Sequence, residues 1–443
     1  MIMLVNIMKI MCSIGVTNIK QSLLDSNKFA QRRGPDNTHI ISYNNVQFLH
    51  NLLHLTGEKT IQPFVKENIV TVFNGELYNY LDFGNYKTDG ECIINLYENY
   101  GIEFIKQLDG EFAICLIDFE KNIIIISTDT FACKPLWYEF RNNEFCIGSY
   151  NSQLTQLGFN NGKKLYANTT KIFDLNNLNL IQEYKNFKFD INQYKTHYED
   201  WIKAFQNSIS KRTQNIQYGM YLGLSSGYDS GAIACELLNQ NKNFKSYTIA
   251  GPENKKIIDE RINLIPNHEV INLTRQEYDN TQHYINKECE NFIYNGYNIK
   301  GDKASFGLAA ICSRATKENY RIYFSGQGAD EIISDYGFNG RKIYGHSEFG
   351  GKFPSNLEGF YPWRSFYDGT QIQYLNKEEY IAGHYGIETR YPFLDKYLVQ
   401  EFVWLDSKLK NSKYKSALHE YLSKNNFPFA EEKIGFNTLK GLR

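Results

Sequence analysis

The sequence predicts an α+β domain followed by an α/β domain, and three observations carry that reading. Residues 12–183 are short β runs separated by turns, at 47–53, 69–73, 112–118, 123–127 and 145–148, with one helix-like piece at 91–100. That spacing describes a sheet packed on a sheet between helical layers. After residue 186 the β runs at 221, 246–250, 269–273 and 322–324 alternate with helical patterns, as a parallel sheet requires. Two strands of this second half also end in small-residue turns that carry an aspartate. The change of pattern predicts two domains, 12–185 and 195–443.

At 443 residues, each domain is long enough to bury its own core. A hydrophobic content of 42% with 22% charged residues describes an ordinary globular chain, and the abundance of Tyr, Phe, Ile, Asn and Lys reads as coding bias. The net charge of −1 gives no electrostatic reason for nucleic acid or an anionic membrane surface as partner. No apolar run approaches the roughly 20 residues that span a bilayer. The eight cysteines are scattered without CxxC pairs, which argues against a zinc site or a disulfide framework and for a reducing cytoplasm.

Taken in order, residues 2–11 are apolar with one lysine, too short for a signal peptide and without an A-x-A exit. Six short pieces follow: Met11-Cys12-Ser13-Ile14-Gly15, Arg33-Gly34-Pro35-Asp36, Asn74-Gly75-Glu76-Leu77-Tyr78-Asn79, Thr88-Asp89-Gly90-Glu91, Asp109-Gly110-Glu111-Phe112-Ala113 and Lys134-Pro135-Leu136. Singly each is weak, because a lone cysteine is most often packing and RGPD or NGELYN can be plain turns. Residues 192–212 place apolar side chains at helical spacing and predict an amphipathic helix.

Residues 219–238 read GMYLGLSSGYDSGAIACELL: a strand, a break at Ser225-Ser226-Gly227-Tyr228-Asp229-Ser230, then a helix. Backbone N–H groups and the positive end of the helix dipole converge at such a turn and favour an anion. Asp229 would repel phosphate unless Mg²⁺ bridges the two. The spacing is not GxxxxGK[ST], and no lysine follows. Residues 321–331, RIYFSGQGADE, repeat the plan with Asp330. Two such strand ends would flank one nucleotide at the carboxyl edge of a parallel sheet. Residues 336–368, rich in Gly, aromatics and Pro, read as a long loop over a site or surface. GIETRYPFLD at 386–395 and KYKSAL at 413–418 close the series.

The six early pieces, in that order, resemble the class II glutamine amidotransferases. SSGYDS, SGQGADE, GIETRYPFLD and KYKSAL resemble the ATP-pyrophosphatase module of the asparagine synthetases. The resemblance covers nearly the whole chain. It implies a four-layer αββα N-terminal-nucleophile sandwich followed by a parallel-sheet nucleotide-binding synthetase domain. It further implies a glutamine-dependent ligase that activates a carboxylate, aspartate being favoured, as an acyl-AMP with ATP and Mg²⁺. By this resemblance Cys12 attacks the glutamine amide with its own α-amine as base, and Asn74 and Gly75 stabilise the oxyanion. Glu76 and Asp89 hold the substrate's α-ammonium. Leu224 and Ile249 frame adenine, Ser225, Ser226, Gly227, Asp229 and Ser230 form the phosphate loop, and Ser325-Gly326 add a second nucleotide contact. Asp229 and Asp330 correspond to Mg²⁺ ligands, and Lys415 neutralises charge on the departing pyrophosphate. Partners are then glutamine, ATP and a small carboxylate, with room for a homodimer and none for nucleic acid or membrane.

The chain departs from the family at several positions. Cys12 is not the encoded first residue, so Met11 is expected as the true start, with trimming of 1–11 as the alternative. Leu52 stands in the glutamine-binding set where the family has an arginine that pairs with the glutamine carboxylate; Arg32 and Arg33 are candidate substitutes, the other outcome being a weak or retargeted glutaminase. Ser226 replaces a glycine and Tyr228 an aliphatic residue. Gln327, in the catalytic set, replaces a glutamate and cannot act as a base. These departures leave open another carboxylate acceptor, such as a sugar acid, or an internal-amine synthetase with a degenerate glutaminase. A non-catalytic scaffold would be expected to have lost Asp229, Asp330 and Lys415.

Overall fold

A computed structural model describes residues 12–431 apart from Pro35 and Pro252. The expected start at Met11, the trimming of 1–11 and the proline of RGPD therefore lie outside the described residues. The first half holds strands β1 (Ser13–Thr17), β2 (Asn37–Tyr43), β3 (Val46–Leu52), β4 (Phe64–Lys66), β5 (Ile69–Leu77), β6 (Gly110–Asp118), β7 (Ile123–Thr128), β8 (Trp137–Arg141), β9 (Glu144–Gly148), β10 (Lys163–Lys164), β11 (Thr169–Asp174) and β12 (Leu180–Lys185). They form two antiparallel sheets, ordered β10-β8-β9-β1-β3-β2 and β12-β11-β7-β6-β5-β4. Alternation of side chains along each strand builds the layers. Val70 and Val72, Cys115 and Ile117, Ile124 and Ile126 meet Ile14, Phe48 and Ile147 between the sheets. Their neighbours Phe73, Ile114, Leu116 and Ile125 face outward onto helix α1 (Cys92–Tyr100) and a following 3₁₀ turn. On the other side Leu49 and Cys146 pack with Leu154 and Leu157 at helix α2 (Asn151–Gln156). An uninterrupted apolar strand such as IIII at 123–126 thus serves two cores at once, and the four-layer αββα sandwich results.

The second half begins with α3 (Glu199–Lys211), seven residues later than the helix pattern at 192–212 predicts. The backbone N–H groups of Tyr194 and Lys195 both donate to the Trp404 carbonyl at 2.9 Å, which holds this stretch extended. A five-stranded sheet follows, built from β13 (Gly219–Gly223), β14 (Phe244–Ile249), β15 (His268–Ile271) and, after the hairpin β16 (Ile293–Tyr294) and β17 (Tyr297–Asn298), β18 (Tyr320–Phe324). A second small hairpin, β19 (Gly337–Phe338) and β20 (Arg341–Lys342), lies in the otherwise irregular 336–368 stretch, and β21 (Glu388–Arg390) completes the sheet. The order is β15-β14-β13-β18-β21 with every pair parallel. Met220, Leu222, Ile322 and Phe324 face the helices α4 (Tyr228–Asn239) and α3, whereas Tyr221, Tyr247 and Tyr323 face the opposite side. There the helices are α6 (Arg275–Glu288), α7 (Lys303–Lys317) and α9 (Thr370–His384), after α5 (Lys255–Leu264) on the chain. The short α8 (Arg364–Tyr367) precedes α9, and α10 (Lys396–Trp404), α11 (Ser407–Lys410) and α12 (Ser416–Lys424) end the described chain. The chain leaves β13 towards β14 on one side and pairs it with β18 on the other, so a crevice opens at the carboxyl ends of β13 and β18.

The halves share one core, in which Leu53, Leu55, Phe131 and Cys133 pack with Leu222, Phe324, Tyr391 and Phe393. A buried ionic network crosses the same boundary. Lys134 meets Glu379 at 3.0 Å, Arg212 meets Glu111 at 2.8 Å and Asp395 at 2.9 Å, and Arg390 meets Glu76 at 3.2 Å.

Candidate active sites

Cys12 lies one residue before β1, beside the end of β3, and its half-buried thiol accepts from the Leu53 N–H at 3.2 Å. Burial pushes the thiol well above its ordinary range; the Leu53 hydrogen bond opposes this, and Glu388, Glu76 and Asp89 add to it. Such a thiol is protonated at rest and needs a base at the moment of attack. It faces a small cavity of about 30 Å³ whose walls include Leu52, Thr56, Glu58, Gly75, Glu76 and Asp89. Asn74 follows Phe73 and precedes Gly75, both in the lining, but is not itself in the lining; it is 2% exposed, and its Nδ2 has no hydrogen-bond partner among the described residues. Gly75 sits at φ +136°, where a Cβ would lie 1.9 Å from the Glu111 carbonyl, so no other residue fits.

The acidic wall is held from both halves. Glu76 accepts from Thr56 Oγ1 at 3.0 Å and pairs with Arg390, which also holds Glu388 at 2.8 Å. Burial, then Glu388, raises the Glu76 carboxyl well above its usual range against Arg390. Burial raises Asp89 to about 6, although the Leu77 N–H donates to it at 2.8 Å. Arg390 gave no local signal of reaching this wall. The expectation that Arg32 or Arg33 replaces the missing arginine is corrected by the structure. Arg33 is fully buried, bonded to Glu379 Oε2 at 2.8 Å, Tyr150 OH at 3.0 Å and the Cys12 carbonyl at 3.0 Å. Arg32 turns to Glu288 at 2.7 Å. Neither lines the cavity.

The second crevice is a pocket of about 240 Å³ at the carboxyl ends of β13 and β18. Leu224, Ser225, Asp229, Ser230, Ile249, Gly326, Gln327 and Asp330 all line it. Ser226, Gly227 and Ser325 support it from behind. Glu253 takes both the Ser226 N–H at 2.7 Å and its hydroxyl at 2.6 Å, so an incoming phosphate must displace a carboxylate to use them. The Gly227 N–H donates to Ser225 Oγ at 3.3 Å, and Ser325 Oγ donates to Glu378 Oε2 at 2.5 Å. Arg261 pins the turn from below through the carbonyls of Ser225 and Gly227. Lys415, buried at the N-terminus of α12, places its Nζ 2.6 Å from Asp229 and 2.7 Å from Asp330. Burial works against this charge, but the two aspartates outweigh it and hold the ammonium well above its ordinary range. Gln327 Nε2 is buried without a partner among the described residues. Lys377 and Glu378 share the pocket, and burial raises Glu378 to about 7 against the Ser325 hydroxyl. No motif announced Glu253, Arg261, Lys377 or Glu378, because their sites are assembled from distant turns and helices.

The chain matches the glutamine amidotransferase domain family over residues 10–174 and the asparagine synthase family over residues 201–369. It belongs to the glutamine-hydrolysing asparagine synthetase family. Similar curated proteins include "Putative asparagine synthetase [glutamine-hydrolyzing] 1" of Methanocaldococcus jannaschii, 25% identical across 98% of this chain and 86% of that protein. A second protein of that organism is 25% identical across 72% of this chain and 73% of its own length. "Asparagine synthetase [glutamine-hydrolyzing] 1" of Arabidopsis thaliana is 24% identical across 88% of this chain and 68% of its own. A member of this family is a ligase that forms a carbon–nitrogen bond and uses ATP. Among the described residues no helix is long and apolar enough to cross a membrane.

Proposed function

We propose that Cys12 releases ammonia from the side-chain amide of glutamine and that the second pocket joins it to a carboxylate activated as an acyl-AMP, with aspartate the favoured acceptor. The observation that carries this reading is the pairing of two separate built sites. One is a thiol in a cavity with the acids Glu76 and Asp89 on its wall; the other is a lysine clasped between two strand-end aspartates. In the first, the Cys12 sulfur forms a bond to the amide carbon and ammonia departs, the Cys12 α-amine serving as proton carrier once residues 1–11 are absent. Asn74 Nδ2 and the Gly75 N–H receive the oxyanion, where one such donor is worth roughly 10²–10³ in rate. Glu76 and Asp89 hold the ammonium of glutamine.

In the second site Leu224 and Ile249 frame the adenine, and Ser225, Ser226, Gly227, Ser230, Ser325 and Gly326 form the phosphate cradle. Asp229 and Asp330 offer hard oxygens that suit Mg²⁺, which takes few protein carboxylates and completes its shell with phosphates and water. Among the described residues no group of three or more His, Cys, Asp or Glu is placed to hold a metal ion. When bound, the ion would screen charge between these aspartates and the polyphosphate. Lys415 stabilises the departing pyrophosphate. Gln327 favours a second reading, the same chemistry on another carboxylate, because a neutral amide faces the place of a family glutamate. Mass spectrometry of products from ATP, glutamine and a panel of carboxylates tests the proposal. Asparagine as the main product supports the first reading; an amide of another acid, with aspartate untouched, replaces it with the second.

A further inference from the structure

We propose that the first pocket reads its amide donor through the amide and the ammonium alone, so that it prefers a primary amide carrying a cationic amine and no carboxylate over free glutamine. This rests on the reading of Cys12 as the amide-attacking nucleophile. The walls of the cavity carry two buried carboxylates, Glu76 and Asp89, with the exposed Glu58 at the rim, and among the described residues neither a lysine nor an arginine lines it. Leu52, 7% exposed, supplies apolar wall beside the thiol.

Among the described residues the arginines nearest the thiol are committed elsewhere, and the one imidazole in the lining, His54, has its Nε2 2.9 Å from the Gly57 carbonyl. Arg33 spends its fork on Glu379, Tyr150 and the Cys12 carbonyl, and Arg32 spends its own on Glu288. Arg390 touches Glu76 at 3.2 Å but holds Glu388 at 2.8 Å with the same guanidinium, so its one charge is divided between two carboxyl groups. Lys87 pairs with Glu58 at 3.2 Å, and its side chain is 68% exposed, where water screens it. A ligand carboxylate entering here loses its hydration, gains no cation and meets like charge. A ligand ammonium gains Glu76 and Asp89, which already lie desolvated on the wall; burial is the first cause that raises both carboxyls, opposed by Arg390 at Glu76 and by the Leu77 N–H at Asp89.

The reaction on such a donor balances as for glutamine. The Cys12 sulfur–carbon bond forms, the carbon–nitrogen bond breaks and the nitrogen leaves as ammonia with the thiol proton. Water then cleaves the thioester, giving the free acid and restoring the thiol.

The test follows ammonia release by protein whose first residue is Cys12, checked by intact mass, from L-glutamine, 4-aminobutanamide, which is glutamine without its carboxylate, and butanamide, which lacks both charges. The expected kcat/KM for 4-aminobutanamide exceeds that of L-glutamine by about tenfold or more, the scale of one charged contact, and that of butanamide by more. Leu52→Arg, which puts a cation into the wall, is expected to reverse the first ratio. Parent enzyme that prefers L-glutamine overturns the proposal while leaving Cys12 as nucleophile. A ratio unchanged in a folded Leu52→Arg variant also overturns it. Failure of the parent to hydrolyse any of the three removes the Cys12 reading itself and the proposal with it. Because the parent ratio needs no variant, misfolding of Leu52→Arg does not shield the proposal.

Discussion

In the nucleotide pocket Asp229 and Asp330 close on Lys415, whose ammonium is 2.6 and 2.7 Å away. In the amide pocket Glu76 and Asp89 line the wall with no cation beside them in the lining, and Arg390 reaches Glu76 while dividing itself with Glu388. Both pairs are acids removed from water, yet the consequences diverge. Lys415 is held charged by its two neighbours, so the second site carries its own counter-charge and can exchange it for a cation and phosphates. Burial raises Asp89 to about 6 and lifts Glu76 well above its usual range, so a ligand cation would favour the ionised form of both. A buried carboxylate is therefore not one kind of feature; the presence of a built-in partner decides whether it is a preassembled ion site or an unfilled demand for a cation.

Removing the nucleophile separates the two pockets most sharply. Cys12→Ala is expected to lower amide hydrolysis by at least ~10³-fold while ammonium-supported synthesis stays within about twofold of the parent. Parallel assays with glutamine and ammonium check this, and an equal loss with both nitrogen sources would falsify the separation.

Lys415→Ala attacks the other side. Synthesis from either nitrogen source should fall by roughly 10²-fold or more while amide hydrolysis persists. Leaving Asp229 and Asp330 without their ammonium should also cost about 3–5 kcal/mol, readable from denaturant unfolding. Unchanged stability would mean that these acids find water or another cation instead.

Arg390→Lys keeps the charge but loses the fork that spans Glu76 and Glu388. The KM for the amide donor should move by roughly threefold to tenfold, as for one weakened charged contact, with ammonium-supported kcat little changed. An effect confined to ammonium-supported synthesis would show that Arg390 serves the second pocket and not the first.

The smallest effect is one of pH. Below about 6 Asp89 takes up a proton and loses its hold on an ammonium, so donor KM should climb as pH falls from 7 to 5. Because the fold raises this pKa above the ordinary carboxylate value, ionising Asp89 costs stability as pH rises through 6, and a bound cation offsets that cost. Thermal stabilisation by 4-aminobutanamide should consequently be larger at pH 8 than at pH 5. Equal stabilisation at both would leave Asp89 outside the binding set.

Local sequence determined the order of the elements and the identity of the small-residue turns. Isoleucines at 123–126 make a strand with two apolar faces under any packing, and SSGYDS and SGQGADE end strands because serine, glycine and aspartate break them. Only the tertiary structure decided which charges meet. Lys415 and Asp229 are 186 residues apart, and the helix pattern at 192–198 yields to a carbonyl of Trp404. Arg33, adjacent to Cys12 in space and a natural candidate for the glutamine carboxylate, is drawn instead to Glu379 on α9. Periodicity records which side of a segment avoids water, and that property belongs to the segment. The pairing of a buried charge depends on which distant backbone delivers its partner and how much water the contact expels, and these arise only when the layers close.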